Sequence, residues 1–224
     1  MRNLALLVIL LASAGCAGET EPVTSESATE SPAAAVTVPE TIVAERGGFI
    51  PEGIEYDPAG GRILTGSLSE GTIFQIHPDG RVTPAVTDPE LVSSVGIEVD
   101  AARNRLLVAN SDRGAFDGSS RGQAKLGAYD LATGERLAMV DLAASIPNRP
   151  ADAAHFANDV TVDEQGTAYV TDTMQNTIYR VGPDYQATVL HRFEGTESLG
   201  LNGLVYHPSG YLLVGGGSTL YKVP

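Results

Sequence analysis

The sequence is poor in cysteine, tryptophan and positive charge. Its 224 residues include one cysteine and no tryptophan, and 14 Lys and Arg stand against 28 Asp and Glu, a net charge of −14. A single cysteine excludes a framework of intrachain disulfides. The shortage of Lys and Arg argues against a nucleic-acid partner, because binding to a phosphate backbone depends on these residues. The length suits one domain or two small ones.

One apolar run stands at the N-terminus, where residues 4–12 are too few to span a bilayer as a stable helix. Three small residues and then Cys16 follow. This arrangement resembles the signal of bacterial lipoproteins, although Ser13 stands where that pattern prefers Leu. The resemblance implies a lipoprotein signal peptide over residues 1–16 and lipidation at Cys16. A plain secretory signal and a buried structural cysteine are the alternatives.

Residues 17–40 are rich in Glu, Ser, Thr, Pro and Ala and contain no Lys or Arg. Such a segment cannot bury enough apolar surface to offset the entropy lost on ordering. We predict a disordered tether between a membrane and a folded domain over residues 41–224. The protein is then expected in the bacterial cell envelope, exported and lipid-anchored, or secreted if Cys16 is not processed.

Four segments of the chain are similar to one another. They read PEGIEYDPAGGRILTGS from Pro51, SVGIEVDAARNRLLVAN from Ser94, ANDVTVDEQGTAYVTDT from Ala157 and LNGLVYHPSGYLLVGGG from Leu201, at intervals of 43, 63 and 44 residues. Each alternates apolar and polar residues, turns, and continues as a second apolar strand, which is typical of a β-hairpin. The turn positions are Asp57, Asp100, Asp163 and His207.

A third apolar segment follows each hairpin, and the long middle interval carries a Gly- and Ser-rich insertion over residues 113–125. A repeat of about 40–50 residues with three or four strands is typical of a β-propeller blade. The sequence therefore predicts an all-β propeller with about four blades in this chain. Two interpretations of its closure remain: residues 41–49 supply a missing outer strand, or the chain is part of a longer propeller.

Glu52, Asn158 and Asn202 occupy the same position in their repeats, and Val95 stands there in the second repeat. A common register in a ring of blades brings side chains to the same height, so these three converge if that end faces the axis. One carboxylate and two amide carbonyls are hard oxygen donors, which suit Ca²⁺ or another divalent cation. The absence of His and Cys from the set argues against zinc.

The blade starts PEGIEYD, ANDVTVDEQGTAYVTDT and LNGLVYHPSG resemble those of the family of gluconolactonase, senescence marker protein and luciferin-regenerating enzyme, over residues 45–224. The resemblance implies a six-bladed propeller with an axial divalent cation, usually calcium, and hydrolysis of lactones or esters in several members. It also implies that Glu52, Asn158 and Asn202 are metal ligands. A fourth ligand, an Asp from a later blade, has no counterpart in this chain.

Two carboxylates are candidates for the general base that activates water. Asp159 is adjacent to a predicted ligand, but strand alternation places it on the opposite face, where it would support the ligand instead. Asp172 lies on the next strand. Either residue could equally cap a turn.

His155 and Phe156 are candidate substrate contacts, because they precede Asn158 at the end of a long loop. The lactonases that this family contains place an Arg at the position of Phe156. Two functions follow. The first is a surface-anchored, cation-dependent lactonase or esterase that acts as a monomer on a small molecule, and the second is a non-catalytic ligand- or protein-binding propeller scaffold.

Overall fold

The chain folds as a series of antiparallel β-meanders. A computed structural model describes residues 38–194 and 200–224. The predicted signal peptide with Cys16, and the predicted tether up to residue 37, lie outside the described residues. Residues 38–50 form no strand. Nearly all regular structure after them is β-strand.

The first two meanders contain four antiparallel strands each. The first is built from β1 (Pro51–Asp57), β2 (Arg62–Ser67), β3 (Ile73–Ile76) and β4 (Val82–Val86). The second region contains β5 (Ser93–Asp100), β6 (Arg105–Ser111), β7 (Gly122–Gln123), β8 (Lys125–Asp130) and β9 (Arg136–Asp141), of which β7 pairs outside the meander. Strands β2 and β5, which belong to different meanders, pair at one position, Ser67 opposite Ser94.

The third and fourth meanders repeat this pattern. The third consists of β10 (His155–Val162), β11 (Ala168–Asp172), β12 (Thr177–Val181) and β13 (Ala187–Arg192). The fourth has three strands among the described residues, β14 (Leu201–His207), β15 (Tyr211–Gly216) and β16 (Thr219–Val223).

The first strand of each meander lies next to the first strand of the following one. Strand β1 contacts β5, β5 contacts β10, and β10 contacts β14. These four strands therefore surround a common axis, and the later strands of each meander extend outward as a blade. The predicted fold class, an all-β propeller with about four blades in this chain, is confirmed.

Apolar side chains are buried between successive blades. Leu64 and Ile97 belong to the cluster between the first two blades, and Tyr179 belongs to the cluster between the second and third. A third cluster, which includes Ile178 and Val214, lies between the last two blades. Face-to-face packing of neighbouring sheets thus provides the core, since an isolated blade would expose both faces.

The predicted insertion forms a short helix, α1 (Gly114–Asp117), followed by β7. Strand β7 pairs in parallel with the start of β10, Gly122 opposite His155. Two single-turn 3₁₀ helices, Ala101–Arg103 and Ala143–Ser145, complete the helical structure of the described part. None of the helices that the structure describes is long and apolar enough to cross a membrane.

The segment 41–49, one possible source of a missing outer strand, forms no strand. The backbone N–H of Glu45 donates to the carbonyl of Gly80, 2.9 Å away, so this segment runs beside the turn between β3 and β4. It therefore adds no strand to the fourth blade.

Candidate functional site

A cavity of about 180 Å³ lies where the four inner strands begin. Its lining comprises Glu52, Gly53, Gly96, Asn158, Asp159 and Asn202. The three residues that share a register in the sequence therefore lie around one space. They come from β1, β10 and β14, and the second blade contributes Gly96 from β5.

Asp159 lines the same cavity as Asn158, which corrects the expectation that the two adjacent side chains point to opposite faces. The cause is an irregularity in the pairing of β10 with β11 between Ala157 and Val160. A β-bulge at this point breaks the two-residue alternation, so neighbouring side chains are re-aimed. The inner strands of the other blades have the same irregularity at the same position, between Glu52 and Ile54, Ser94 and Ile97, and Leu201 and Leu204.

Glycine occupies the position of Asp159 in the other three blades. The register of the inner strands aligns Gly53, Gly96 and Gly203 with this aspartate. A Cβ atom at Gly96 would collide with the carboxylate of Asp159, and one at Gly203 would lie 3.6 Å from it. Small residues in the neighbouring blades therefore leave room for one carboxylate beside the axis.

Two threonine hydroxyls connect the third blade to the fourth beneath the cavity. Thr171 Oγ1 accepts the Asp159 backbone N–H at 3.2 Å and donates to the carbonyl of Asn202 at 2.8 Å. Thr173 Oγ1 lies 2.9 Å from Asn158 Nδ2 and 2.6 Å from the carbonyl of Leu201. The strands that carry Asn158 and Asn202 are thus held together by side chains of the β11 region.

Burial, and to a smaller extent the neighbouring carboxylates, raise the pKa values of Asp159 and Glu98 near the axis. Burial raises the pKa of Asp159; hydrogen bonds from the N–H groups of Leu204 and Val160 oppose this shift, and the charge of Glu52 adds to it. Further along the axis, burial and the charges of Glu55 and Asp159 raise the pKa of Glu98 to about 8. Accumulated negative charge beside the axis favours a cation there.

Protein cations do not neutralise the cavity. Within residues 38–194 and 200–224, no Lys, Arg or His forms an ion pair with Glu52 or Asp159. The same residues contain no group of three His, Cys, Asp or Glu side chains placed to hold a metal. Any cation here would need the amide oxygens of Asn158 and Asn202 in addition to carboxylates.

Asp172, the second candidate base, is fully buried and is not among the residues that line the cavity. Its oxygens accept hydrogen bonds from His155 Nδ1 at 2.8 Å, from the Tyr179 hydroxyl at 3.0 Å and from the N–H of Phe156 at 3.0 Å. The N–H groups of Met174 and Gln175 also donate to it. This carboxylate holds the start of β10 and the turn after β11 in place.

His155 and Phe156 are also buried, and neither lines the cavity. The imidazole of His155 contacts Asp172, and its Nε2 has no hydrogen-bond partner among the described residues. The ring of Phe156 packs against Phe116 of α1, with centroids 4.5 Å apart. The His155 side chain therefore holds the start of β10 to the end of β11, and the Phe156 ring packs against the insertion. Neither predicted substrate contact is part of this cavity.

Sequence reasoning did not identify Thr171 and Thr173 as part of the site. They flank Asp172 in the segment VTDT, and strand alternation gives them the face opposite to that aspartate. This periodicity was the available signal, but the partners of both hydroxyls lie in the fourth blade and are not visible in the sequence.

Two wider cavities, of about 370 and 360 Å³, lie elsewhere in the first two blades. The first includes Asp88 and Arg136, and the second includes Asp57 and Arg62. Each of these carboxylates is paired with the arginine in its cavity. The smaller axial cavity is the better candidate, because its carboxylates form no ion pair with an arginine in the described part of the chain.

No protein-family model matches the chain, and no curated protein matches it. Several solved structures match it. A catalytically inactive virginiamycin B lyase from Staphylococcus aureus has a TM-score of 0.57 and 14% identity, over 80% of this chain and 57% of that chain. A gluconolactonase from Xanthomonas campestris has a TM-score of 0.56 and 16% identity, over 82% of this chain and 60% of that chain.

A putative gluconolactonase has a TM-score of 0.52 and 19% identity, over 79% of this chain and 60% of that chain. The chain thus spans about 57–60% of the length of these three structures. Identities at this level show a common fold. The fold of this chain is therefore a propeller fold that it shares with gluconolactonases and with virginiamycin B lyase.

Proposed function

We propose that this chain is a propeller hydrolase that opens a lactone or ester bond at the axial cavity with the help of a bound divalent cation, calcium in the first instance. The observation that carries the proposal is the common cavity of Glu52, Asn158, Asp159 and Asn202, whose carboxylates form no ion pair with any Lys, Arg or His that the structure describes. The chain shares its fold with gluconolactonases, which supports a lactone or ester as the proposed substrate.

The residues present fit a calcium ion. Glu52, Asn158 and Asn202 offer hard oxygen donors from three different strands, and Ca²⁺ accepts carboxylate, amide and water oxygens in a flexible geometry. A cavity of about 180 Å³ has space for an ion with several waters. Burial is the main cause of the raised pKa of Asp159, and the charge of Glu52 adds a smaller contribution; a cation in the cavity would oppose both.

When bound, the cation would polarise the carbonyl oxygen of the substrate as a Lewis acid. Asp159, which lines the cavity, would act as the general base. Its carboxylate takes a proton from a water molecule, and the resulting hydroxide adds to the carbonyl carbon. The carbon–oxygen bond to the leaving alcohol then breaks, and the proton held by Asp159 passes to that alkoxide. Water is consumed, and the products are a carboxylic acid and an alcohol.

Phe156 favours a second candidate function, a non-catalytic propeller that binds a ligand or a protein. It stands where the resemblance implies a substrate-binding Arg, and its ring is buried against Phe116. In that case a cation at the cavity would stabilise the fold without turnover.

Hydrolysis of a panel of lactones and aryl esters by the full-length protein, stripped of metal and then supplied with Ca²⁺, separates the two functions. We expect hydrolysis only after Ca²⁺ is supplied. The rate of hydrolysis should fall about 100-fold in Glu52→Gln and in Asp159→Asn. Glu164→Gln is the matched control, since Glu164 is exposed in the turn between β10 and β11. Activity that survives both chelation and Glu52→Gln contradicts the proposal, and tight Ca²⁺ binding without turnover supports the second function.

The proposed location is the bacterial cell envelope, with the propeller, as a monomer, tethered through a lipid on Cys16. The sequence of residues 1–40 supports it. Membrane extraction of the wild-type protein and of Cys16→Ser tests it: we expect the variant to be released into the soluble fraction.

A further inference from the structure

We propose that Thr173 is a positioning residue that fixes the side-chain amide of Asn158 with its carbonyl oxygen toward the axial cavity. The inference rests on the proposed function, because it concerns how a cation ligand is oriented. Thr173 itself is uncharged and is not among the residues that line the cavity.

The hydrogens available on Thr173 and Asn158 fix the direction of both hydrogen bonds. The hydroxyl of Thr173 has one hydrogen, and its oxygen lies 2.6 Å from the carbonyl oxygen of Leu201, which can only accept. The hydroxyl therefore donates to Leu201. Its contact with Asn158, at 2.9 Å, must then be one in which Thr173 accepts and the amide nitrogen of Asn158 donates.

The two ends of an Asn amide are similar in size but opposite in hydrogen-bonding capacity, so their positions are set by their partners. With Nδ2 held by Thr173, Oδ1 is the atom left for the cavity that Asn158 lines. Rotation of the amide by half a turn would present N–H groups, which repel a cation. Thr173 thus converts a side chain that could face either way into an oxygen donor.

Thr171 provides the matched comparison. It makes the same kind of bridge from β10 to β14, but both of its partners are backbone groups, the N–H of Asp159 and the carbonyl of Asn202. Loss of either hydroxyl should loosen the junction between the third and fourth blades. Only loss of the Thr173 hydroxyl should release the Asn158 amide.

The test is the calcium affinity of the full-length, metal-stripped protein, measured by calorimetry for the wild type, Thr173→Val, Thr173→Ser, Thr171→Val and Glu52→Gln. We expect Thr173→Val to weaken binding about tenfold or more, as is usual when a partner of a metal ligand is removed. Thr173→Ser should restore binding, and Thr171→Val should lower the melting temperature with a smaller change in affinity.

A second measurement needs no cation. In the ¹H–¹⁵N spectrum of the metal-free protein, the side-chain amide signal of Asn158, identified by its loss in Asn158→Asp, should show two well-separated protons. We expect them to shift toward solvent-exposed values in Thr173→Val and to return in Thr173→Ser.

The outcomes distinguish this inference from the proposed function. Wild-type affinity in Thr173→Val, alongside lost affinity in Glu52→Gln, overturns the role of Thr173 and leaves the calcium site standing. Equal losses of affinity in Thr173→Val and Thr171→Val also overturn it, because general loosening would then explain both. A wild type that binds no Ca²⁺ overturns the proposed function, and an Asn158 signal unchanged in Thr173→Val overturns the orientation independently.

Discussion

Carboxylates stand at both ends of the inner strands, but their surroundings differ. In β1, Glu52 lies at the axial cavity and Asp57 lies at the opposite end. Burial alone would raise the pKa of Asp57, but hydrogen bonds from the Gly60 N–H and from Arg62, with the charge of Arg62, lower it. At the cavity, the pKa of Asp159 is raised instead.

At the end of the inner strands opposite the cavity, here called the far end, arginines also join neighbouring blades. Arg62 binds Asp57 at 2.6 Å and donates to the carbonyl of Leu131 in the second blade. Arg105 binds Asp100 at 2.8 Å and donates to the carbonyl of Gly166 in the third blade. The paired carboxylates therefore hold the blades together. At the cavity, Asp159 also reaches a neighbouring blade, since its carboxylate accepts the N–H of Leu204 at 2.9 Å. Within the described residues, however, neither Glu52 nor Asp159 forms an ion pair with a Lys or Arg, so a bound cation would offset their repulsion.

The largest effect on stability is expected from breaking a pair at the far end. Arg105→Met leaves Asp100, which is 4% exposed, with only the partly exposed Arg103 as its cation, and leaves the carbonyl of Gly166 without the Arg105 donor. We expect the free energy of unfolding to fall by about 3–5 kcal/mol, the usual cost of removing one partner of a buried ion pair. Urea unfolding of the metal-free protein measures it.

The control for this experiment is Arg81→Met. Arg81 pairs with Asp79 at 3.7 Å on the surface, where both side chains are more than half exposed. Its loss should change the free energy of unfolding by less than about 1 kcal/mol. Equal effects of the two substitutions would mean that the far-end pairs do not join the blades.

A smaller effect on the free energy of unfolding is expected when the partly buried Glu98 ionises as the pH rises. Burial and the charges of Glu55, Asp159 and Asp100 raise its pKa from 4.5 to about 8. The folded protein therefore holds a proton between these pH values that the unfolded chain has released, so stability should fall as pH rises through this window.

The expected loss between pH 5 and pH 8.5 is on the order of 2 kcal/mol, because solvent screening reduces the full value of the shift. Thermal and urea unfolding of the metal-stripped wild type and of Glu98→Gln measure it. The variant should show a flatter dependence on pH, and an unchanged slope would show that Glu98 ionises normally in the folded protein.

The inner strands and the hairpins were predictable from the sequence, since their alternation and turns recur in all four repeats. The sequence did not predict the outer strands β4, β9 and β13 individually. They are mostly half exposed, as in β9, and one of them contains Pro84, so they lack the apolar alternation that marks an inner strand. Their pairing depends on the rest of the blade.

The site was predictable in part. The shared register of Glu52, Asn158 and Asn202 correctly indicated side chains around one space. The position of Asp159 was not predictable from alternation, because a β-bulge re-aims it. The hydroxyls of Thr171 and Thr173 act across the junction between two blades, a contact that a single repeat does not encode.

The most direct test of the contrast between the two ends is a calcium titration of the melting temperature of the metal-stripped, full-length protein. A ligand that binds the folded state alone should stabilise it by about 2.7 kcal/mol at 100 times its Kd. We predict a progressive rise for the wild type and for Arg81→Met, and none for Glu52→Gln. A wild-type melting temperature that does not change with Ca²⁺, or an equal rise in Glu52→Gln, would contradict a cation site at the axial cavity.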